Sequence, residues 1–540
     1  MQLSPSAHVD TFARDHLPPA DQWPEFRLGE LRYPDRLNCA AELLDATIAR
    51  HRANRRCLIT PTETWTYGDL LRSANQLARV LVEDCGIVPG NRVLLRAPNN
   101  PWLVACWHAV LKAGAVAVTT MPLLRESELR VIGEIASVNL SLVDHRLADE
   151  LAAADIAPHL TWGAGGEDDL IERAAAKPAE FDNVATAADD VALLAFTSGT
   201  TGRPKATMHF HRDVLAIADT FSERMLRPTP DDVFAGSPPL GFTFGLGALV
   251  VFPMRAGAST LLLEKGTPDV LLPAMLKHEV TVVATAPTAY RAMLADLPPT
   301  GLPRLRHAIS AGEPLPKTTW EAFHAATGIK LIDGIGATEL LHIFISAVGN
   351  DIRPGSTGKP VPGYEAAILD EHGNPAPDGE LGRLAVKGPT GCRYLSDPRQ
   401  TTYAQNGWNV TGDTYVRDAD GYFWYQARSD DMIISAGFNI AGPEVEQALL
   451  KHPDVLECGV VGVPDPERTM SVQAYVVLRP GVTGDEAKVT ELREHCKREI
   501  APYKCPRAIE FRDSLPRTNT GKLQRYMLRR EAAQQAAPAS

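Results

Sequence analysis

From about Cys39 onward, short apolar runs alternate with helical patterns, and this alternation constrains the fold more than any other feature. RVLLRAPNN (92–100) reads as a strand and a turn. PWLVACWHAVLKAGAVAVTT (101–120) reads as a helix ending near Gly114, then a strand. LRVIGEIASVNLSLVDH (129–145) repeats the theme, and VTVVATAPT (280–288) and RLRHAISAGEPLP (304–316) each read as a strand running into a turn. Such a pattern predicts an α/β protein with layered, mostly parallel sheets. Ligands in such sheets sit at the carboxyl ends of strands. Residues 1–36 are proline-rich and aperiodic, which predicts an arm lying on the body. After about Asp430 the texture changes. Residues 452–481 read as strand, turn, strand, and EAKVTELREHCKREI (486–500) as an amphipathic helix with Leu492, Cys496 and Ile500 on one face. The expected organisation is a large N-terminal domain, 1–429, a smaller mobile α+β domain, 430–532, and a disordered tail, 533–540.

Composition narrows the partners. Across 540 residues, 54 Lys and Arg face 66 Asp and Glu, a net charge of −12. That balance argues against nucleic acid or an anionic membrane as the main partner, though not against a nucleotide bound at a local site. The eight cysteines form no CxxC pair and read as reduced and buried, hence a cytoplasmic setting. The first residues show no basic start and apolar run, so no signal peptide is read. The longest apolar stretch, Gly241 to Leu263, is broken by glycines, Pro253 and Arg255, and reads as buried core strands rather than a membrane span.

The chemistry centres on TSGTTGRPK (197–205), which follows the apolar run VALLAF (191–196). Its glycines let backbone N–H groups approach a phosphate, and its hydroxyls add donors. It is not a Walker loop: only two residues separate Gly199 from Gly202, and Ala206 follows Lys205. Four further strings follow in order: GIGATEL (334–340), TGD (411–413), ARSDDMIISAGFNIAGPEVE (427–446) and PRTNTGKLQR (516–525). Singly, each fits a surface turn or a solvated charge.

Together the five strings resemble, in order and across most of the chain, the signatures of the acyl-adenylate-forming superfamily of AMP-binding acyl-CoA synthetases. The resemblance implies ATP, Mg²⁺ and coenzyme A as reactants. It assigns Thr197, Ser198, Gly199, Thr200, Thr201, Gly202 and Lys205 to the triphosphate. Ala311, Gly312 and Glu313 fall to adenine, with Asp333, Gly334, Ile335, Gly336, Thr338 and Gly437 also nucleotide-binding. Many members carry an aromatic residue at the Ile335 position, and Gly where Ala427 stands, so adenine is expected to rest on apolar contact. Glu339 is the implied Mg²⁺ ligand, since that ion takes one or two carboxylates plus phosphate oxygens. Asp413 has acceptor sites for both ribose hydroxyls, and Arg428 a fork for ribose or phosphate oxygens. Lys522, with Thr338 and Glu339, is the expected catalytic group. Its ammonium would steady charge as a carboxylate meets the α-phosphate. Asp430 is the implied hinge about which the small domain rotates, bringing SAGFNI (435–440) in place of Lys522 and opening a route for coenzyme A.

GIGATE with Leu341, His342 and Ile343, and PPLGFTFGLG (238–247), are similar to benzoate-type aryl-CoA ligases. The likeness implies an acid pocket of Phe242, Thr243, Phe244, Gly336, His342 and Ile343, suited to a small aromatic acid. AHVDTFARDHLPP and YPDRLNCAAELLD resemble 2-aminobenzoate-CoA ligases in particular. The expected activity is therefore an aryl-CoA ligase with 2-aminobenzoate as best substrate and benzoate or 2-hydroxybenzoate as alternatives. Loading of a carrier protein, or non-catalytic nucleotide sensing, are the rival functions. The pair His209 and His211 lacks a third ligand in view and is not read as a metal site. Monomer and homodimer both remain open.

Overall fold

The computed structural model describes residues 3–197, 204–428, 431–435, 438–465, 469–500, 502–517 and 523–536. The chain divides into two compact units. One comprises residues 1–315, 319–366 and 386–410, the other 316–318, 367–385 and 411–540. The division falls ahead of the 429/430 boundary read from the sequence. Strand Trp408–Arg417 pairs antiparallel with Phe423–Arg428, so the segment just before residue 430 belongs to a hairpin and not to a linker.

Two sheets build the first unit. A six-stranded sheet runs His159–Trp162, Leu140–Asp144, Arg92–Arg96, Val116–Thr120, Val191–Thr197 and Lys205–Phe210, parallel except at the last pair. In a nine-stranded sheet, six neighbours are parallel, from Leu331–Gly336 across to Arg56–Ile59, and antiparallel strands close both edges. The expected α/β architecture is what forms, because strands covered on both faces demand continuous apolar runs. All five residues of Arg92–Arg96, of Val116–Thr120 and of Leu140–Asp144 are buried. Burying each such Val or Leu contributes about 1.5–3 kcal/mol.

Local chemistry starts the helices where the sequence indicates. Asn100 accepts from the Leu103 N–H at 2.9 Å, and Pro101 occupies the first turn of helix Pro101–Lys112. Thr66 and Asp69 exchange side-chain and backbone bonds in a capping box before helix Tyr67–Arg79. The N-terminal arm lies on its own unit as expected. The Asp190 carboxylate accepts from Ser6 Oγ at 2.5 Å and the Ala7 N–H at 2.9 Å, and the Trp23 ring lies 6.2 Å from Phe210.

The stretch Gly241–Leu263 departs from expectation. It is helical through Thr243–Leu246, Gly247–Val251 and Phe252–Ala256, and only Ser259–Leu261 is a strand. A short all-apolar run carries no period that separates a buried helix from a buried strand. No helix among the described residues is long and apolar enough to cross a membrane.

In the second unit, Thr469–Leu478 pairs antiparallel with Val455–Asp465 and with Met432–Ser435, and parallel with Ala508–Phe511. Helix Glu486–Glu499 sets Leu492 and Cys496 into a core with Val445, Val460 and Val476. Helix Arg525–Ala536 carries the chain past residue 533, where the sequence reading began a tail.

Candidate functional site

The phosphate-loop string begins at a strand end, as read, but its continuation is a return strand. Thr197 closes strand Val191–Thr197 and pairs in register with Lys205, the first residue of the antiparallel strand Lys205–Phe210. Ser198, Gly199, Thr200, Thr201 and Gly202 lie outside the described residues, as do Asp430, Gly437 and Lys522.

Alternate residues of the return strand share a face. Lys205 Nζ lies 3.1 Å from Glu339 Oε1 and 4.3 Å from the centroid of the Tyr394 ring. The Tyr394 hydroxyl donates to the same Glu339 oxygen at 2.5 Å and accepts from Lys205. The Tyr403 ring lies 5.5 Å from the ammonium. Thr207 forms a bridge to the Tyr394 backbone. His209 Nε2 meets the Thr338 carbonyl at 2.8 Å. Desolvation lowers the His209 pKa to about 4, so near neutrality the ring is uncharged, and bonding a carbonyl makes Nε2–H its donor. Burial raises the Tyr394 phenol far above its ordinary range, and the Glu339 charge adds to that. His211 is engaged elsewhere: its Nδ1 accepts from the Cys39 N–H at 3.1 Å. The two histidines therefore share no ligand.

Thr338 and Glu339 sit in the short turn Thr338–Leu340 after strand Leu331–Gly336. Glu339 is 6% exposed and so is not a solvated helix-start residue. The buried Glu339 carboxylate supplies the oxygen donors that suit Mg²⁺ shared with a polyphosphate, and the Lys205 ammonium beside it suits the phosphate oxygens. Ala311, Gly312 and Glu313 follow the neighbouring parallel strand His307–Ser310, whose Ser310 is in register with Asp333. Gly312 adopts φ +91°, which only glycine takes readily. Burial pushes the Asp333 carboxyl well up.

The expected acid-pocket residues draw together in part. The His342 ring lies 5.6 Å from Phe244, 4.5 Å from Phe252 and 5.9 Å from Phe221. Gly336 pairs in register with Ile343, and a Cβ there would stand 2.8 Å from the His342 carbonyl oxygen. A Cβ on Gly247 would stand 2.2 Å from the imidazole. No side chain among the described residues hydrogen-bonds either His342 ring nitrogen, and burial lowers its pKa to about 3 against a weaker, raising contact with the Phe244 backbone. Phe242 precedes, and the buried Thr243 begins, the helix Thr243–Leu246 that carries Phe244. In the second unit Asp413 and Arg428 face each other across paired strands, Nη1 to Oδ1 3.2 Å. Gly412, at φ +78°, lies against that guanidinium.

Sequence reasoning missed Tyr394, Tyr403, Phe221 and Phe252. No motif marks them, and chain distance hides them. His209 shares a face with Lys205 only because residues 205–210 form a strand.

The family model described as AMP-binding enzyme matches residues 44–394, and that of the AMP-binding enzyme C-terminal domain matches 444–522. The benzoate–CoA ligase of Thauera aromatica is 35% identical over 510 residues, covering 92% of this chain and 97% of that protein. The crystal structure of the anthranilate CoA ligase AuaEII in complex with anthranoyl-AMP matches with a TM-score of 0.87 at 33% identity, over 93% of this chain and 98% of that one. A benzoate CoA ligase from Burkholderia xenovorans LB400 matches with a TM-score of 0.83 at 33% identity, over 91% and 100%.

Proposed function

The chain belongs to the AMP-binding enzyme family, and from that premise we propose that it is an AMP-forming aryl-CoA ligase whose best substrate is 2-aminobenzoate. The observation that carries the substrate is His342. An imidazole that no described side chain hydrogen-bonds, set among Phe221, Phe244 and Phe252, favours a flat ring bearing one polar substituent. The likeness to a structure holding anthranoyl-AMP, anthranilate being 2-aminobenzoate, supports the same choice. The likeness to the Thauera enzyme favours benzoate as the second reading.

In the first half-reaction the acid's carboxylate attacks the α-phosphorus of ATP and pyrophosphate leaves. Lys205, at the foot of the phosphate loop, holds triphosphate oxygens. Glu339 would hold Mg²⁺, which when bound offsets phosphate charge. Asp413 and Arg428 take the ribose, and Ala311, Gly312, Asp333 and Ile335 the adenine. Lys522 steadies the oxygens in flight, a contact worth about 3–4 kcal/mol by analogy with oxyanion donors. In the second half-reaction the thiolate of coenzyme A attacks the adenylate carbonyl and AMP leaves. Rotation about Asp430 exchanges the groups that serve the two steps.

The test is AMP release from Mg-ATP, with and without coenzyme A, across benzoate, 2-aminobenzoate, 2-hydroxybenzoate and a fatty acid. Release that requires both coenzyme A and an aromatic acid, fastest with 2-aminobenzoate, is the expected result. Pyrophosphate exchange without turnover on coenzyme A would point to carrier loading. Lys522→Ala should abolish adenylation while ATP still binds.

A further inference from the structure

The residue after the Glu339 turn is conformationally costly. Leu341 has φ +69° and ψ −34°, a backbone that a leucine adopts only under constraint. Leu341 is buried, so no solvent exposure relaxes it. Three side chains from other segments hold the turn on successive residues. His209 Nε2–H donates to the Thr338 carbonyl at 2.8 Å. The Tyr394 hydroxyl donates to Glu339 Oε1 at 2.5 Å. Thr390 Oγ1 donates to the Leu340 carbonyl at 2.8 Å. All three donors are buried or nearly so, which makes each bond worth more than a surface contact.

We propose that His209, Thr390 and Tyr394 form a clamp that holds the strained turn Thr338–Leu341 and so aims the Glu339 carboxylate. His209 and Tyr394 are then positioning residues of the nucleotide site. This rests on the reading of Glu339 as the metal-holding group. The clamp explains why three chemically unlike side chains converge on one turn. It also gives the unusual Leu341 backbone a purpose: a relaxed turn would let Glu339 swing off the Lys205 ammonium.

The effect of the clamp on Glu339 is measurable without turnover. Mn²⁺ binding would be followed by electron paramagnetic resonance in the presence of a non-hydrolysable ATP analogue, without acid or coenzyme A. Glu339→Gln calibrates the assay. Tyr394→Phe and His209→Leu should each weaken Mn²⁺ binding about five- to tenfold, the scale of one lost buried hydrogen bond. His209→Gln, whose amide can stand where Nε2–H stood, should restore most of it. A general loss of packing would not be rescued in this way. The clamp is overturned if Glu339→Gln weakens Mn²⁺ binding while Tyr394→Phe and His209→Leu, shown folded by their melting curves, bind as the parent does. It is also overturned if His209→Gln behaves as His209→Leu. Unchanged Mn²⁺ binding in Glu339→Gln would instead remove the premise about Glu339.

Discussion

His209 and His342 are both buried imidazoles, yet their surroundings assign them different work. His209 is committed to a carbonyl, whereas no side chain among the described residues bonds His342. A pocket that hydrogen-bonds a substrate group discriminates strongly, because a substrate lacking that group leaves the pocket atom unpaired. His342→Leu should therefore lower the kcat/KM for 2-aminobenzoate relative to benzoate by about tenfold, with benzoate itself within about threefold of the parent. Steady-state kinetics with both acids decide it. An equal fall for both would reduce His342 to a packing residue. At this scale the string TSGTTGRPK announced phosphate chemistry, and Glu339 stood out by its motif. Tyr394 did not, because a tyrosine becomes a partner of Glu339 only through a fold that brings residues 394 and 339 together.

The return strand Lys205–Phe210 and the helix His211–Ile217 that follows it tie the site to the body. Asp213, in that helix, pairs with Arg393 at 2.7 Å, and neither side chain is exposed. The guanidinium is also stacked between aromatic rings, 3.8 Å from Phe210 and 4.1 Å from Phe26 of the N-terminal arm. Arg393 adjoins Tyr394, so this pair fixes the segment that reaches Glu339. Removing one member strands a buried charge, which is worse than replacing both. Asp213→Ala should destabilise the protein by about 3–5 kcal/mol, and Asp213→Leu with Arg393→Met by clearly less. Urea unfolding of the two variants checks this, and equal losses would show that the ion pair is not the source. The strand itself was legible only in part. VALLAF marked the strand before the loop, but KATMHF alternates too weakly in polarity to declare a strand. Its edge position in the sheet decides it.

For the molecule as a whole, buried histidines make acid the weak point of the larger unit. His108, His209, His211 and His342 have pKa values lowered to about 4, 4, 3 and 3, in each case first by desolvation. Between those values and the ordinary 6.5, the unfolded chain binds more protons than the folded one. Stability therefore rises with pH in that window and is lost as pH falls from about 6.5. Each histidine contributes up to about 1.4 kcal/mol per pH unit. Melting temperatures measured from pH 7.5 to 5 should fall, and His108→Leu should fall less steeply than the parent. A flat profile in the parent would contradict the burial of these rings. Alternating periodicity determined the α/β class and the existence of a distinct C-terminal unit, because strands buried on both faces and amphipathic helices each impose a pattern on neighbouring residues. Five ordered strings determined the family, because a strand-end turn is a local construction that neighbouring residues spell out. Only the tertiary structure decided that residues 243–256 are helical, that residues 411–428 belong with the second unit, and that His209, Thr390 and Tyr394 converge on one strained turn. Those outcomes depend on packing between segments far apart in the chain, the three bonds to the turn alone spanning 50 to 129 residues, which leaves no period and no spacing for a sequence to display.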